Sequence, residues 1–320
     1  MIKKILYIFI LLFISISYSQ LSKTHYIPPL THAAEGNANA VDQWMYISTP
    51  STSPVNVSIL PVGGTAQTIT VQNNQPQKVQ ISTNGYSQLY VEANTTSQVM
   101  NNKGYIIDAD KPIYVSVRVN AGGFEGNDDS SAQAGALVTK GLDGLGRTFR
   151  VGTFNSQSNS ANFNNYLNFL SVMATEDNTT VNFTNNYTSG FVIENYSGQF
   201  PINNIQLNRG ESYVIALELK DTSTATTQDA VTRNRDGLIG TLIQSDKDIV
   251  VNSGSSNGSF HNGGARDYGI DQIVDLSRVG KEYILVRGDG SDGWENILVV
   301  GHEDGTCLLY TSPSPRDTLL

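Results

Sequence analysis

The sequence predicts an all-β protein of tandem duplicated antiparallel β-sandwich-like units, with a β-propeller-like arrangement as the alternative. Three observations predict it. Charged residues make up only 15% of the chain, while Gly, Asn, Ser and Thr are abundant, a composition that suits strands joined by tight turns and disfavours helix. Short runs alternate in polarity, as in Ile113–Val119, where Tyr114, Ser116 and Arg118 fall on one face. The chain also repeats itself: Gly104–Val115 aligns with Gly240–Val251 at six identical positions of twelve, including Asp110-Lys111 and Asp246-Lys247.

The repeat sets the expected organisation. Val55-Asn56 matches Val181-Asn182, and Gly146 before Thr148-Phe149 matches Gly280 before Glu282-Tyr283. A third match joins Val172–Thr179 to Val299–Thr306. These matches predict an extended N-terminal segment over 20–40, one β unit over 41–165, a second over 166–292, and the start of a truncated third over 293–306. In the first unit strands are expected at 43–48, 55–60, 67–71, 78–82, 88–92, 104–108, 113–119, 135–139 and 148–153. In the second they are expected at 168–174, 180–184, 191–195, 205–207, 212–218, 238–244, 249–252, 272–274 and 283–287. Such a density of short strands fits a sandwich, and two four-stranded blades per unit give the propeller alternative. Asp110-Lys111-Pro112 and Ser245-Asp246-Lys247 read as turns between the two strands of a hairpin.

The ends carry separate signals. Lys3 and Lys4, the apolar run Ile5–Ile16 and the small residues of Ser17-Tyr18-Ser19 form a secretory signal peptide over 1–19, cleaved before Gln20. Its apolar run is too short to span a bilayer, and no later segment reaches that length, so no membrane span is expected after cleavage. Localisation is therefore expected to be extracellular or at the cell surface. The single Cys307 has no partner for an internal disulfide. Residues 307–320 resemble a translated sequencing adapter and read as a non-native tail, because their Ser/Pro run replaces the return strand expected after Glu303–Thr306.

The formal net charge of −9 argues against a nucleic-acid partner, since a phosphate backbone is repelled. No residue pattern points to catalysis or to a cofactor. Glu176-Asp177 and Glu303-Asp304 are adjacent carboxylates on turn-forming sequence, and neighbours on a strand point to opposite faces. His25, His32, His261 and His302 lack metal-ligand spacing. Two acidic glycine-rich loops offer candidate calcium ligands, Asp128 with Asp129 and Asp289 with Asp292, without EF-hand spacing. Aromatics beside Asn and Gly, namely Phe124, Phe260, Tyr268 and Trp294, are the candidate ligand contacts, with the loops 121–133 and 254–268 presenting them.

From the mature N-terminus onward the chain resembles the IgGFc-binding protein N-terminal domain family, as found in secreted or surface proteins of gliding bacteria. The residues that carry the resemblance are Ser22–Pro29, Gly104–Ile107, Ala134–Gly146, Tyr166–Glu176, Asn234–Gly240 and Asp271–Val274. The resemblance implies a non-catalytic binding or adhesion module within a longer surface protein, with an extracellular protein or glycan as partner. A secreted polysaccharide hydrolase and a structural spacer domain are the alternative expectations. The hydrolase requires a pair of carboxylates converging in a groove.

Overall fold

The computed structural model describes residues 20–31, 41–120, 134–152, 168–186, 191–217, 236–258, 267–286 and 297–309. The first part of the chain forms β1 (Ser22–Ile27), β2 (Leu30–Thr31), β3 (Asp42–Ser48), β4 (Val55–Pro61), β5 (Gln67–Val71), β6 (Gln77–Ser82), β7 (Tyr90–Val91), β8 (Val99–Met100), β9 (Tyr105–Asn120) and β10 (Ala134–Val138). The second forms β11 (Gly146–Arg150), β12 (Asn168–Ala174), β13 (Thr179–Thr184), β14 (Ile202–Leu207), β15 (Ser212–Leu217), β16 (Leu242–Gly258) and β17 (Asp267–Ile273). The fold is all-β, and the two parts repeat one topology. No helix among the described residues is long and apolar enough to cross a membrane.

The organising element of each half is one long strand that serves two sheets. The N-terminal end of β9 lies between β1 and β4, with β5 beyond β4. Its C-terminal end lies between β10 and β3, with β6 beyond β3. In the second half the N-terminal end of β16 lies between β11 and β13, with β14 beyond. Its C-terminal end lies between β17 and β12, with β15 beyond, and the short β8 of the first half extends that sheet. Thus β1, β3, β4, β5, β6, β9 and β10 correspond in order to β11 through β17. Even the irregularities coincide. The register shifts between Ser22 and Thr24 on β1, and between Gly146 and Thr148 on β11.

This overturns one expectation. The Asp-Lys segments at 110–112 and 245–247 are not hairpin turns but the middles of β9 and β16. Side-chain parity survives the corner: Ile107, Ile113, Val115, Val117 and Val119 all reach the same buried cluster. The recurring Asp-Lys pair fastens the corner instead of turning the chain. Asp110 accepts from Asn56 Nδ2 at 3.3 Å, and Asp246 accepts from the Thr180 amide at 2.8 Å. That amide bond is the main reason the Asp246 carboxyl sits below the ordinary carboxylate range. Lys111 donates to Ser53 Oγ, and Lys247 donates to the Asp177 carbonyl. From the other side the hydroxyls of Thr49 and Thr175 donate to the corner carbonyls of Pro112 (2.8 Å) and Asp248 (2.6 Å).

Other differences are smaller. Residues 22–27, expected as an extended segment, are the buried strand β1. The strand expected at 88–92 shrinks to β7, and that at 191–195 to a single bridge between Ile193 and Leu217. No strand forms over 281–286. Register equates Val57, opposite Ala109, with Val181, opposite Ser245, so the repeat runs two residues away from the match at Val55.

The halves share a buried interface. One core fills the first half and takes in Phe169, Val214, Ala216 and Tyr268 from the second. A separate core fills the second half around Phe149, Phe183, Leu170 and Ile243. Between them Tyr26, Val62 and Ile106 meet Met173 and Val250. Two buried amides cross the junction: Asn252 Nδ2 donates to the Pro28 carbonyl at 2.9 Å, and Gln272 Nε2 to the Tyr26 carbonyl at 3.1 Å. Lys140 caps the network, its amide donating to Gln272 Oε1 at 2.7 Å and its ammonium to Asp271 at 2.8 Å.

His25 is fully buried behind β1, where register places Phe149 in the second half. Its Nε2 faces the carbonyls of Ile113 (3.0 Å) and Ser22 (3.2 Å), which places the proton of the neutral ring there. Nδ1 is 2.6 Å from Thr139 Oγ1. Burial lowers its pKa to about 4, against the partial opposition of those two carbonyls. The unfolded chain therefore binds a proton that the folded one refuses between about pH 6.5 and 4. The stabilisation is complete above that window and falls by about 3 kcal/mol as pH drops through it. Urea denaturation should show this loss, and His25→Phe should remove that share of the pH dependence. An identical pH dependence in the variant would contradict the assignment.

Gly104 and Gly240 occupy equivalent positions with φ of +99° and +80°. A Cβ on Gly104 would lie 2.1 Å from Met173 Cε and 2.7 Å from the Ile27 carbonyl, whereas one on Gly240 meets nothing within 4 Å. Gly240→Ala should cost about 1 kcal/mol of backbone strain, and Gly104→Ala clearly more because it also wedges the interface. Thermal unfolding of the two variants checks the ordering.

Candidate functional site

The strongest contrast between the halves lies on the outer face of the β3–β6–β9–β10 sheet. In the second half the equivalent face is covered by the first. There β12 is buried along its whole length, and β16 from Ile249 to Ser256. In the first half β3 alternates, with Trp44, Tyr46 and Ser48 half-exposed between buried Met45 and Ile47. On β9 the residues Tyr114 and Arg118 are exposed, as is Val138 on β10.

Register makes the comparison residue by residue. Tyr46, opposite Ser116, stands where the second half has Ser171, opposite Asn252. Tyr114, opposite Ser48, stands where it has Val250, opposite Met173. Arg118 takes the place of Gly254, and Lys78 that of Val214. The exposed face has thus gained two tyrosines and two cations. A sheet face open to solvent needs polar groups, which the cations alone supply. Exposed rings are not needed for that.

The geometry is a shallow depression of about 370 Å³ lined by Tyr46, Ser48, Tyr114, Ser116, Arg118 and Val138. The Arg118 guanidinium lies 4.8 Å from the Tyr46 ring centroid, and the Lys78 ammonium 3.6 Å from that of Trp44. Neither cation forms an ion pair among the described residues. The face combines flat π surface, a hydroxyl and a guanidinium. It is equipped to stack against a planar or sugar ring and to donate to a carboxylate or carbonyl.

Of the candidates named from sequence, Phe124, Asp128, Asp129, Phe260, Asp289, Asp292 and Trp294 lie outside the described residues. Tyr268 is 4% exposed and packs edge-on against Tyr90 with ring centroids 6.2 Å apart, within the core shared by the halves. The two candidate loops spring from neighbouring strand ends. The Ala134 amide, just after 121–133, donates to Asp267 Oδ1 at 3.0 Å. Glu176 and Asp177 form the β12–β13 turn, where the Glu176 carbonyl accepts from Thr179 and Asp177 accepts from the Arg209 amide. Among the described residues no three His, Cys, Asp or Glu side chains converge as metal ligands would.

Trp44, Tyr46 and Lys78 went unnoticed in the sequence. For Tyr46 and Lys78 the signal was available in the comparison of repeats, because the other copy has Ser171 and Val214 there; Trp44 is equivalent to the aromatic Phe169 and carries no such signal.

The fold is a duplicated β-sandwich with one sheet face left uncovered and carrying aromatics. The family described as IgGFc binding protein matches residues 134–320, more than half of the chain, and the chain belongs to that family. No curated protein matches it.

If the face serves binding and not the fold, its rings contribute little to stability. Tyr46→Ala and Tyr114→Ala should each change the unfolding free energy by less than about 1 kcal/mol. Phe169→Ala, in the buried equivalent layer, should cost about 3–5 kcal/mol. Equal losses in urea titrations would assign the tyrosines to the core.

Proposed function

We propose that the chain is a non-catalytic binding or adhesion module of a longer secreted or cell-surface protein. Its partner is an extracellular protein or glycan. Contact is made through the outer face of the β3–β6–β9–β10 sheet, continued by the loops 121–133 and 254–268 with their aromatics Phe124 and Phe260. The observation that carries this reading is that half-exposed Tyr46 and exposed Tyr114 stand at positions where the other copy has Ser171 and Val250. The paired strands β9 and β10 carry Arg118 and the residues that flank the first loop, Asn120 and Ala134. The leader-like N-terminus supports export. The family takes its description from IgG Fc binding, which makes an Fc fragment the first protein probe.

The test screens the chain against Fc and a glycan array, with heat-denatured chain as control. Enrichment of at least one probe is expected. The double variant Tyr114→Ala/Arg118→Ala should weaken that binding at least about tenfold, or roughly 1.4 kcal/mol, with thermal unfolding unchanged. Binding unaffected by the double variant would move the site elsewhere, and signal equal to the denatured control would sink the reading.

A further inference from the structure

The second half offers, on the side away from the first, the same edge by which the first half receives the second. Register equates Tyr26, opposite Ile106, with Arg150, opposite Leu242. It therefore equates Pro28 with Gly152, and Gly104 with Gly240. In the first half these positions form the seat of the interface. The Pro28 carbonyl accepts from Asn252, the Tyr26 carbonyl from Gln272, and Met173 packs over Gly104. In the second half the seat is already touched. The nearest atoms to a Cβ built on Gly152 are Val300 Cγ2 at 3.6 Å and Leu298 Cδ2 at 3.9 Å. The Arg150 guanidinium donates to the Gly240 carbonyl at 2.8 Å and to the His302 carbonyl at 3.2 Å.

What touches the seat carries the same kind of turn as the segment that fills the first one. The Thr179 hydroxyl donates to the Glu176 carbonyl at 2.7 Å, and the Thr306 hydroxyl to the Glu303 carbonyl at 2.6 Å. The third residue of each turn has positive φ, Asn178 at +55° and Gly305 at +76°. The preceding Ile297, Leu298 and Val299 are apolar yet more than half exposed. Isolated exposed apolar side chains are ordinary, but a continuous run marks a surface awaiting a partner.

We infer that the Arg150–Gly152–Gly240 edge is a docking seat for a further unit of this same fold, entered by residues 297–306. It is the positional counterpart of the Tyr26–Pro28–Gly104 seat, touched at Gly152 and open at Gly240. Units then stack with one polarity: the first-strand edge of each covers the outer face of the sheet in the next.

The test is a cross-link in the whole chain. With Cys307→Ser removing the native thiol, Gly152→Cys/Val300→Cys should form an intramolecular disulfide on mild oxidation under native conditions and not in urea, read by thiol counting. A second variant, Gly152→Trp, should displace the segment. Cleavage within 297–306 by limited proteolysis should accelerate several-fold, while the thermal unfolding of the remaining chain is unchanged. Thiols that stay free in the native double variant, or cleavage no faster in Gly152→Trp than in the parent, would overturn the inference.

Discussion

Among the described residues both large sheets depend on two long strands, β9 and β16, each of which pairs with one set of neighbours at its start and another at its end without a break. A strand shared in this way must keep its side-chain parity, because a slip of one residue would turn a whole apolar set outward. The residues around each corner meet that constraint. Asp110 and Asp246 hold the neighbouring strand, Lys111 and Lys247 reach the adjacent turn, and Thr49 and Thr175 bind the corner carbonyl from the opposite side. The clearest identity between the repeats is thus explained by geometry. Pro112 is tolerated because it sits at the corner, between the residues that pair with β4 and those that pair with β3.

The second constraint is the interface between halves. Burying Asn252 and Gln272 is costly unless their amides find partners, and both find backbone carbonyls of the β1 segment. The reward is registry, since an apolar contact alone tolerates sliding and a pair of directional bonds does not. The same interface explains why equivalent strands differ in sequence. β12 is covered on both faces and reads as a nearly continuous apolar run, while β3 has one free face and alternates. The free face is where evolution of a surface is unconstrained by packing, and there the rings and cations appear.

Much of the fold was legible in the sequence. Composition disfavoured a helical protein, short β-branched and aromatic runs between turn residues located β3, β4, β5, β12, β13 and β15 closely, and the duplication was visible in the Gly104 and Gly240 segments. The corners were misread because Asp-Lys-Pro is sound turn chemistry, and only the pairing of both flanks to common neighbours reveals a continuous strand. β1 was missed as a repeat element because its copies share little: His25 and Phe149 fill the same site with different chemistry. The candidate face was half-legible. Tyr114, Ser116 and Arg118 were evident on one face, but their exposure depends on which half covers which, and that is a property of the assembled halves.

A scaffold of paired corners and a locked interface holds one aromatic face open. Its foundation is that β9 and β16 are single structural members. Native-state hydrogen exchange across residues 105–120 and 242–258 tests this most directly. Both ends of each strand should exchange in one slow, cooperative block that opens only with the sheets on either side. Separate opening of the segments before and after Lys111 or Lys247, as two strands joined by a loop would show, would contradict the account.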